Sequence, residues 1–333
     1  MSDRSIANPQ QFEYARAPAG PPPSRRPGSI RRTTSIDSEW PEGHGRPWLM
    51  TGRARDLLTD ADGEGGVLAT ASFQITASVD REILDILAAP PHPNLQDLVG
   101  ARAGGASRTA LEAALGDARG SPLYQLIDDF AGASLVANGI WASWNPAWDP
   151  GPSRRKKMED ICTGFAAGAS SLLEDGTVHL AVLSRAEVGP LEDPADPLSW
   201  HELPMQVGPK MRRARRIDLW REGDVIKVDA YFQDSGGMPS GMRLAIHEYR
   251  VYAEVEEGTG RLLALQALPL VLPFRECPGA SVKATRLVGR AVADFRASVP
   301  EVLGSTLGCT HLNDVLRGLA DVPLLATLLP KGG

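Results

Sequence analysis

The chain contains one short arginine-rich frame twice. Arg31-Arg32-x-x-x-Ile36-Asp37 returns as Arg212-Arg213-x-x-x-Ile217-Asp218. After each copy the sequence predicts three strands, a proline-rich corner, a Leu-Val-Gly turn and two helices, in the same order. This order predicts an internal repeat over about 31–137 and 212–328. Two copies of this length are too few for a solenoid, and they favour a fused pseudo-dimer.

The predicted fold class is α+β, with two tandem related halves that are each an antiparallel meander covered by helices. One such meander buries little apolar surface by itself, so two halves that pair would share a core. The predicted strands are 48–58, 67–76 and 81–87 in the first half and 224–234, 243–255 and 261–268 in the second. The predicted helices are 109–115, 122–130 and 292–303, followed by one that begins after Gly308.

Four segments follow from this organisation. Residues 1–28 are rich in Pro, Arg, Ser and Gly and are predicted to be a disordered tail. The first repeat is assigned to 29–137, and the second, with the candidate site, to 206–333. Between them, 138–205 is a linker predicted to contain a helix over 154–173 and a strand over 177–184. Its tryptophans either line a pocket or dock the linker onto the core, and docking is favoured; they are Trp141, Trp144 and Trp148.

Composition excludes several classes of partner. The net charge of −6 gives no overall attraction to nucleic acid. No apolar run approaches the ~20 residues that span a bilayer, and the N-terminus lacks a signal pattern, so we expect no membrane partner and a cytoplasmic protein. The three cysteines are widely spaced and imply no disulfide framework. Abundant Ala, Gly, Pro and Arg with little Lys favour a bacterial gene, and an oligomer is compatible with this composition.

The residues with chemical potential lie mainly in the second half. Gly308-Cys309-Thr310-His311-Leu312-Asn313-Asp314 predicts a helix N-terminus that carries a thiol, an imidazole and a carboxylate. The first half has Ser121-Pro122-Leu123 there, and it has Phe73 or a neighbour in place of His247-Glu248-Tyr249. This asymmetry places the candidate site in the second half.

Strand alternation directs two of these side chains toward the core. His247 and Tyr249 share the more apolar face of their predicted strand, where an imidazole and a phenol need partners or a cavity. Cys309 and His311, at a helix start, can reach that face. A helix N-terminus lowers a thiol pKa and favours anions.

Four interpretations of these residues stay open. Cys309 can be a nucleophile with His247 or His311 as its base. The histidines can bind a metal together with Cys277 or Cys309 and an aspartate. Histidine and aspartate can act as general acid and base without a cofactor. Finally, the residues can be structural, with Thr310 or Asn313 capping a helix and the others packed in the core.

The C-terminal half resembles a known bacterial family. Gly308-Cys309-Thr310-His311-Leu312, preceded by Cys277, His247 and an arginine-rich start, is similar to the signature of domain of unknown function family 2889. The resemblance covers about 212–328, and the whole chain resembles a longer, actinobacterial form. The short form carries a His-Asp-Met strand motif where this chain has His247-Glu248-Tyr249. The resemblance implies that these positions are site residues, and it carries no activity.

We predict a cofactor-independent enzyme of lyase, isomerase or hydrolase type that acts on a small, fairly apolar molecule. In this hypothesis His247 and His311 are acid/base groups, Cys309 and Asp234 orient or activate them, and Arg213 holds an anionic group of the substrate. Recurrence of the arginine pair in the first half favours a structural role for the arginines instead.

Two alternatives accompany this hypothesis. One is a non-catalytic protein that binds a small-molecule ligand or acts as a scaffold, and the other is a metal-dependent hydrolase or lyase. The sequence lacks the glycine-rich fingerprints of nucleotide-binding loops, so no nucleotide cofactor is indicated. A divalent metal is compatible with the histidines, cysteines and aspartates.

Overall fold

The computed structural model describes residues 17–145 and 157–330. Within them, nine strands form one antiparallel sheet, so the α+β class is confirmed. The sheet order is β4-β3-β2-β1-β6-β7-β8, and β8 also pairs with β9 and with the short β5. The strands are β1 Ser29–Glu39, β2 Trp48–Thr59, β3 Gly65–Ala77, β4 Ile83–Ala89, β5 Ala186–Glu187, β6 Met211–Glu222, β7 Val225–Gly237, β8 Arg243–Glu256 and β9 Leu262–Val271.

The helices pack in two groups on one face of this sheet. In the described residues they are α1 Gly105–Leu115, α2 Pro122–Val136, α3 Trp141–Trp144, α4 Gly279–Lys283, α5 Phe295–Val302, α6 Thr310–Gly318 and α7 Val322–Thr327. Side chains of α1 and α2 share an apolar core with β2 and β3, while those of α4 to α7 share one with β7, β8 and β9. Each predicted helix in the two halves is therefore present, although 292–303 begins with a 3₁₀ turn.

The two arginine frames pair with each other at the middle of the sheet. β1 and β6 run antiparallel, so Arg31 lies opposite Asp218 and Arg212 lies opposite Asp37. Each arginine donates from Nε to the Oδ1 atom of its aspartate at 2.6 Å. Because the frame has arginine at one end and aspartate at the other, antiparallel pairing makes it self-complementary. The register agrees with the predicted pseudo-twofold, while a common origin of the halves remains a prediction.

The prediction of three strands in each half is wrong. The arginine frames, predicted to precede the first strand, are strands β1 and β6 themselves, so each half has four strands. Their charged side chains obscured the strand pattern. These side chains are buried and paired, as in Arg31 and Arg32, which are 1% and 2% exposed.

The linker also differs from its prediction. Residues 157–173 contain a 3₁₀ turn at Thr163–Phe165 and no α-helix, and 177–184 contain a 3₁₀ turn at Leu180–Val182 in place of a strand. A single antiparallel bridge joins Leu172 and Val178. Asp160 and Gly168 have positive φ values of 60° and 78°, which interrupt a right-handed helix. Residues 154–156 lie outside the described residues.

Two of the linker tryptophans dock onto the core. Trp144 donates from its indole nitrogen to the carbonyl of Gly237 at 2.8 Å. Trp141 packs edge-on against Trp40, with ring centroids 5.3 Å apart. These contacts agree with the docking interpretation, and Trp148 lies outside the described residues.

The part of the predicted tail that the structure describes is packed against the sheet. Residues 17–28 form no helix or strand, but Arg25 pairs with Asp196 at 2.8 Å and Arg26 lies over the Trp220 ring at 4.4 Å. These contacts differ from the predicted disorder of this stretch. Residues 1–16 lie outside the described residues.

Candidate metal centre

Three potential metal ligands converge beneath the helices of the second half. Asp234 on β7 lies directly opposite His247 on β8, and the register shifts immediately after Asp234. His311, in the first turn of α6, completes the group. One ligand atom from each of these residues lies within 4.8 Å of the others, and no other such group of three occurs in the described parts of the chain.

Both imidazoles direct a nitrogen toward the same carboxylate oxygen. Asp234 Oδ2 lies 3.3 Å from His247 Nδ1 and 3.9 Å from His311 Nε2. The two rings stack with centroids 3.5 Å apart and planes inclined by 17°. Both nitrogens are buried, and although each lies near Asp234, neither makes a well-aligned hydrogen bond with a described residue. Unpaired buried nitrogens that face one carboxylate are the arrangement that a bound cation would complete.

His311 is held in the protonation state that a metal requires. Burial, followed by the proximity of His247, holds the pKa of His311 well below its usual value, so the ring is neutral. Its other nitrogen, Nδ1, lies 3.3 Å from the Thr310 hydroxyl oxygen, which orients Nε2 toward Asp234.

Asp234 is kept ionised by a buried arginine. Its side chain is fully buried and accepts two bonds from Arg213, with Nε–Oδ1 at 2.8 Å and Nη2–Oδ2 at 3.0 Å. Burial acts to raise the pKa of Asp234, but the charge of Arg213 outweighs it and holds the pKa well below its usual range. The carboxylate is therefore charged and oriented before any ligand arrives.

The structure places Arg213 among carboxylates, whereas the sequence predicted that it holds an anionic group of the substrate. Its third nitrogen, Nη1, donates to Asp314 Oδ2 at 2.9 Å, so all three guanidinium nitrogens are engaged by carboxylates. The side chain is 1% exposed. Arg213 thus acts by positioning Asp234 and linking it to α6. The sequence pattern alone assigned no role to Asp314.

Cys309 lacks the properties of a nucleophile. It is the N-cap residue of α6, it is buried, and burial raises its pKa. Its Sγ atom is 3.9 Å from His311 Nδ1. The lowering expected from the helix N-terminus is therefore outweighed by desolvation, and the thiol stays protonated. Neither Thr310 nor Asn313 is the N-cap of this helix; the Asn313 amide donates to the Leu303 carbonyl at 2.9 Å.

A polar cluster lies behind the candidate ligands. Tyr249 is fully buried, and its hydroxyl has no hydrogen-bond partner in the described residues. Burial, followed by the thiols of Cys309, Cys277 and Cys162, raises the pKa of Tyr249 well above its usual value. The three cysteines are thus neighbours in space, a proximity that their sequence spacing did not indicate. All three are free and buried.

The first half contains a counterpart of the arginine–aspartate pair of the centre but no counterpart of its histidines. Arg32 binds Asp56 with Nε–Oδ1 at 2.6 Å and Nη2–Oδ2 at 2.7 Å, as Arg213 binds Asp234. Ala69 lies opposite Asp56, in the position that His247 has in the second half. The counterpart predicted from the sequence was Phe73 or a neighbour. The register identifies Ala69, and the asymmetry remains.

Of the three candidate ligands, only the histidines are partly exposed to solvent. The side chain of Asp234 is fully buried, whereas those of His247 and His311 are 10% and 12% exposed. The two imidazoles therefore provide the exposed surface of the centre.

The comparisons with known proteins agree with the resemblance seen in the sequence. Residues 211–325 match the model of a family described as "Protein of unknown function (DUF2889)". This part of the chain belongs to that family. The match contains the three candidate ligands and Arg213 and excludes the first half. No curated protein and no solved structure matches the chain. None of the helices in 17–145 and 157–330 is long and apolar enough to cross a membrane.

Proposed function

We propose that the protein is a metal-dependent enzyme of hydrolase or lyase type, acting on a small, fairly apolar molecule. The observation that carries the proposal is the pair of unpartnered imidazole nitrogens, His247 Nδ1 and His311 Nε2, that face one ionised oxygen of Asp234. Two histidines and a carboxylate form the ligand set of catalytic zinc sites and of non-haem iron(II) sites, both of which keep positions open for substrate.

The charges around the site suit a divalent cation. Asp234 is ionised and His311 is neutral, which are the forms that coordinate metals. When bound, such a cation supplies Lewis-acid chemistry to a carbonyl group or a water molecule. The protein side chains orient the ligands, since Arg213 holds the carboxylate and the Thr310 hydroxyl contacts the far nitrogen of His311.

The alternative is the cofactor-independent acid–base enzyme that the sequence predicted. The observation favouring it is the 3.3 Å approach of His247 Nδ1 to Asp234 Oδ2, a distance typical of a histidine oriented by an aspartate. His311, stacked on His247, would then be the second proton-transfer group. A bacterial, cytoplasmic setting belongs to either proposal and suits the three free cysteines.

Elemental analysis of the purified protein tests the metal. We expect about one equivalent of a transition metal in the wild type and its loss in His311→Ala and in His247→Ala. His201→Ala is the matched control, because His201 is also buried but has both ring nitrogens bonded, to Ser35 and Thr33 hydroxyls at 2.8 and 2.9 Å. This variant should keep its metal.

Two results would contradict the metal proposal. One is a wild-type protein that contains no metal and takes none up after dialysis against zinc or iron(II). The other is a His311→Ala variant that retains full metal content. Either result leaves the acid–base pair as the candidate chemistry.

A further inference from the structure

A cavity of about 240 Å³ lies on the sheet face opposite to the candidate metal centre. Gln233 and Glu248, which pair across β7 and β8, line it, and each is the chain neighbour of a candidate ligand. Because successive side chains of a strand point to opposite faces, the cavity and the centre are separated by the sheet itself. The cavity is walled on its outer side by the segment Pro18–Pro23 and the loop 188–192.

Three polar atoms of the lining residues are buried without a partner. They are Glu248 Oε2, Trp200 Nε1 and Arg216 Nε, and none has a hydrogen-bond partner among the described residues. The three residues are 0%, 3% and 2% exposed. A buried polar group without a partner is destabilising, so three such groups on residues that line one cavity favour a bound molecule that bonds to them.

The remaining atoms of these groups are engaged, which holds the free atoms in place. Glu248 Oε1 accepts from the Tyr231 hydroxyl at 2.7 Å and from the backbone N–H of Ala19 at 3.0 Å. The two terminal nitrogens of Arg216 donate to Asp218 and Asp229. The Glu248 carboxylate and the Arg216 guanidinium, both on residues that line the cavity, are therefore held in position by these bonds.

We propose that this cavity binds a small aromatic molecule that carries a hydroxyl group. A hydroxyl both donates and accepts, so it can bond to Glu248 Oε2 and to an N–H donor of the lining. The rings of Trp200 and Tyr231, together with the prolines of 18–23, provide an apolar surface for an aromatic ring. The volume is just under the ~300–1,000 Å³ usual for drug-sized ligands, which limits the ligand to a single ring.

This site is independent of the proposed metal chemistry. Its polar atoms lie on the other face of the sheet, and its ligand needs no cation. Binding is therefore measured both on the protein as purified and after treatment with a chelator, and equal binding in the two samples is expected whether or not the protein contains metal.

Phenol and toluene are the probes, because they match in shape and differ by the hydroxyl. The protein is labelled with 5-fluorotryptophan, and the resonance of residue 200 is assigned with Trp200→Phe. We expect phenol to shift this resonance saturably. Phenol should bind at least about tenfold more tightly than toluene, because one hydrogen bond to a buried polar group contributes about that difference in affinity.

Variants at Glu248 assign the preference to that side chain. Glu248→Leu should bind phenol and toluene equally, whereas Glu248→Gln, which keeps a hydrogen-bonding oxygen, should retain the preference. Glu254→Leu is the control, since Glu254 lies on the same face of β8 but pairs with Lys227 outside the cavity. The proposal is overturned by equal wild-type binding of the two probes, by a preference that survives Glu248→Leu, or by no saturable shift with millimolar phenol.

Discussion

Arg213 and Arg32 make matching buried ion pairs, but only Arg213 lies at the candidate metal centre. Comparing Arg213→Met with Arg32→Met therefore distinguishes a loss of stability from a loss of metal binding. The two arginines have matched surroundings. Arg213 binds Asp234 through two nitrogens and Asp314 through the third, and Arg32 binds Asp56 and Asp321 in the same way. Methionine keeps the apolar stem and removes the guanidinium, so each variant leaves one buried carboxylate without its arginine.

The expected loss of stability follows from burial. Removal of one partner from a buried ion pair costs about 3–5 kcal/mol, because the other charge stays buried without compensation. Asp314 and Asp321 each keep a second arginine, Arg108 and Arg296, so the cost arises chiefly at Asp234 or Asp56. An unfolding entropy of about 2.1 cal/mol/K per residue, over roughly 300 residues, converts this cost into a fall in Tm of about 5–8 °C.

Calorimetry and elemental analysis together test the reasoning. Both variants should lose similar stability, but only Arg213→Met should lose metal, since only Asp234 has histidines beside it. A stability loss under about 1 kcal/mol in both would refute the argument from buried charge. Equal metal loss in Arg32→Met would show that the effect is general unfolding. Should the methionine variants fail to fold, Arg213→Lys and Arg32→Lys keep the charge, lose the bidentate geometry and allow the same comparison.

Two further predictions concern the contact between the halves. A methyl group at Gly132 of α2 would collide with the Arg213 guanidinium, so Gly132→Ala should cost about 1–3 kcal/mol in chemical denaturation, whereas Gly105→Ala, which meets open space, should not destabilise. Burial acts to raise the pKa of Asp128, but Arg317 and other arginines outweigh it and hold the pKa below its usual value. The stability that this carboxylate contributes is therefore present above about pH 4 and lost as the pH falls further. Asp128→Asn should make the fall in Tm between about pH 5 and 3 less steep. An unchanged slope would contradict this prediction.

The sequence by itself determined most of the strands and helices of the two halves and their order. Alternation along 225–255 placed Asp234 and His247 on strands, and it placed His247 and Tyr249 on the core face, as the structure has them. It also assigned the chemistry to the second half. These features are local, because the period of apolar residues depends only on neighbours in the chain.

Two predictions, the non-strand arginine frames and the linker helix, are wrong because the conformation of charged residues and glycines depends on tertiary contacts. The arginine frames are central strands, because aspartates lie opposite their arginines in β1 and β6 and neutralise the buried charge. The predicted linker helix was interrupted at Gly168, whose φ is positive. In both cases the deciding interaction or conformation lay outside the apolar pattern.

Only the tertiary structure brings the candidate ligands together. The approach of His311 to Asp234 depends on the register of β7 with β8 and on the packing of α6, which join segments distant in the chain. The same packing engages every nitrogen of Arg213 with a carboxylate. The cavity at Glu248 likewise exists only where the segment Pro18–Pro23 crosses the sheet. Distances between remote side chains depend on register and packing, and a local sequence pattern contains neither.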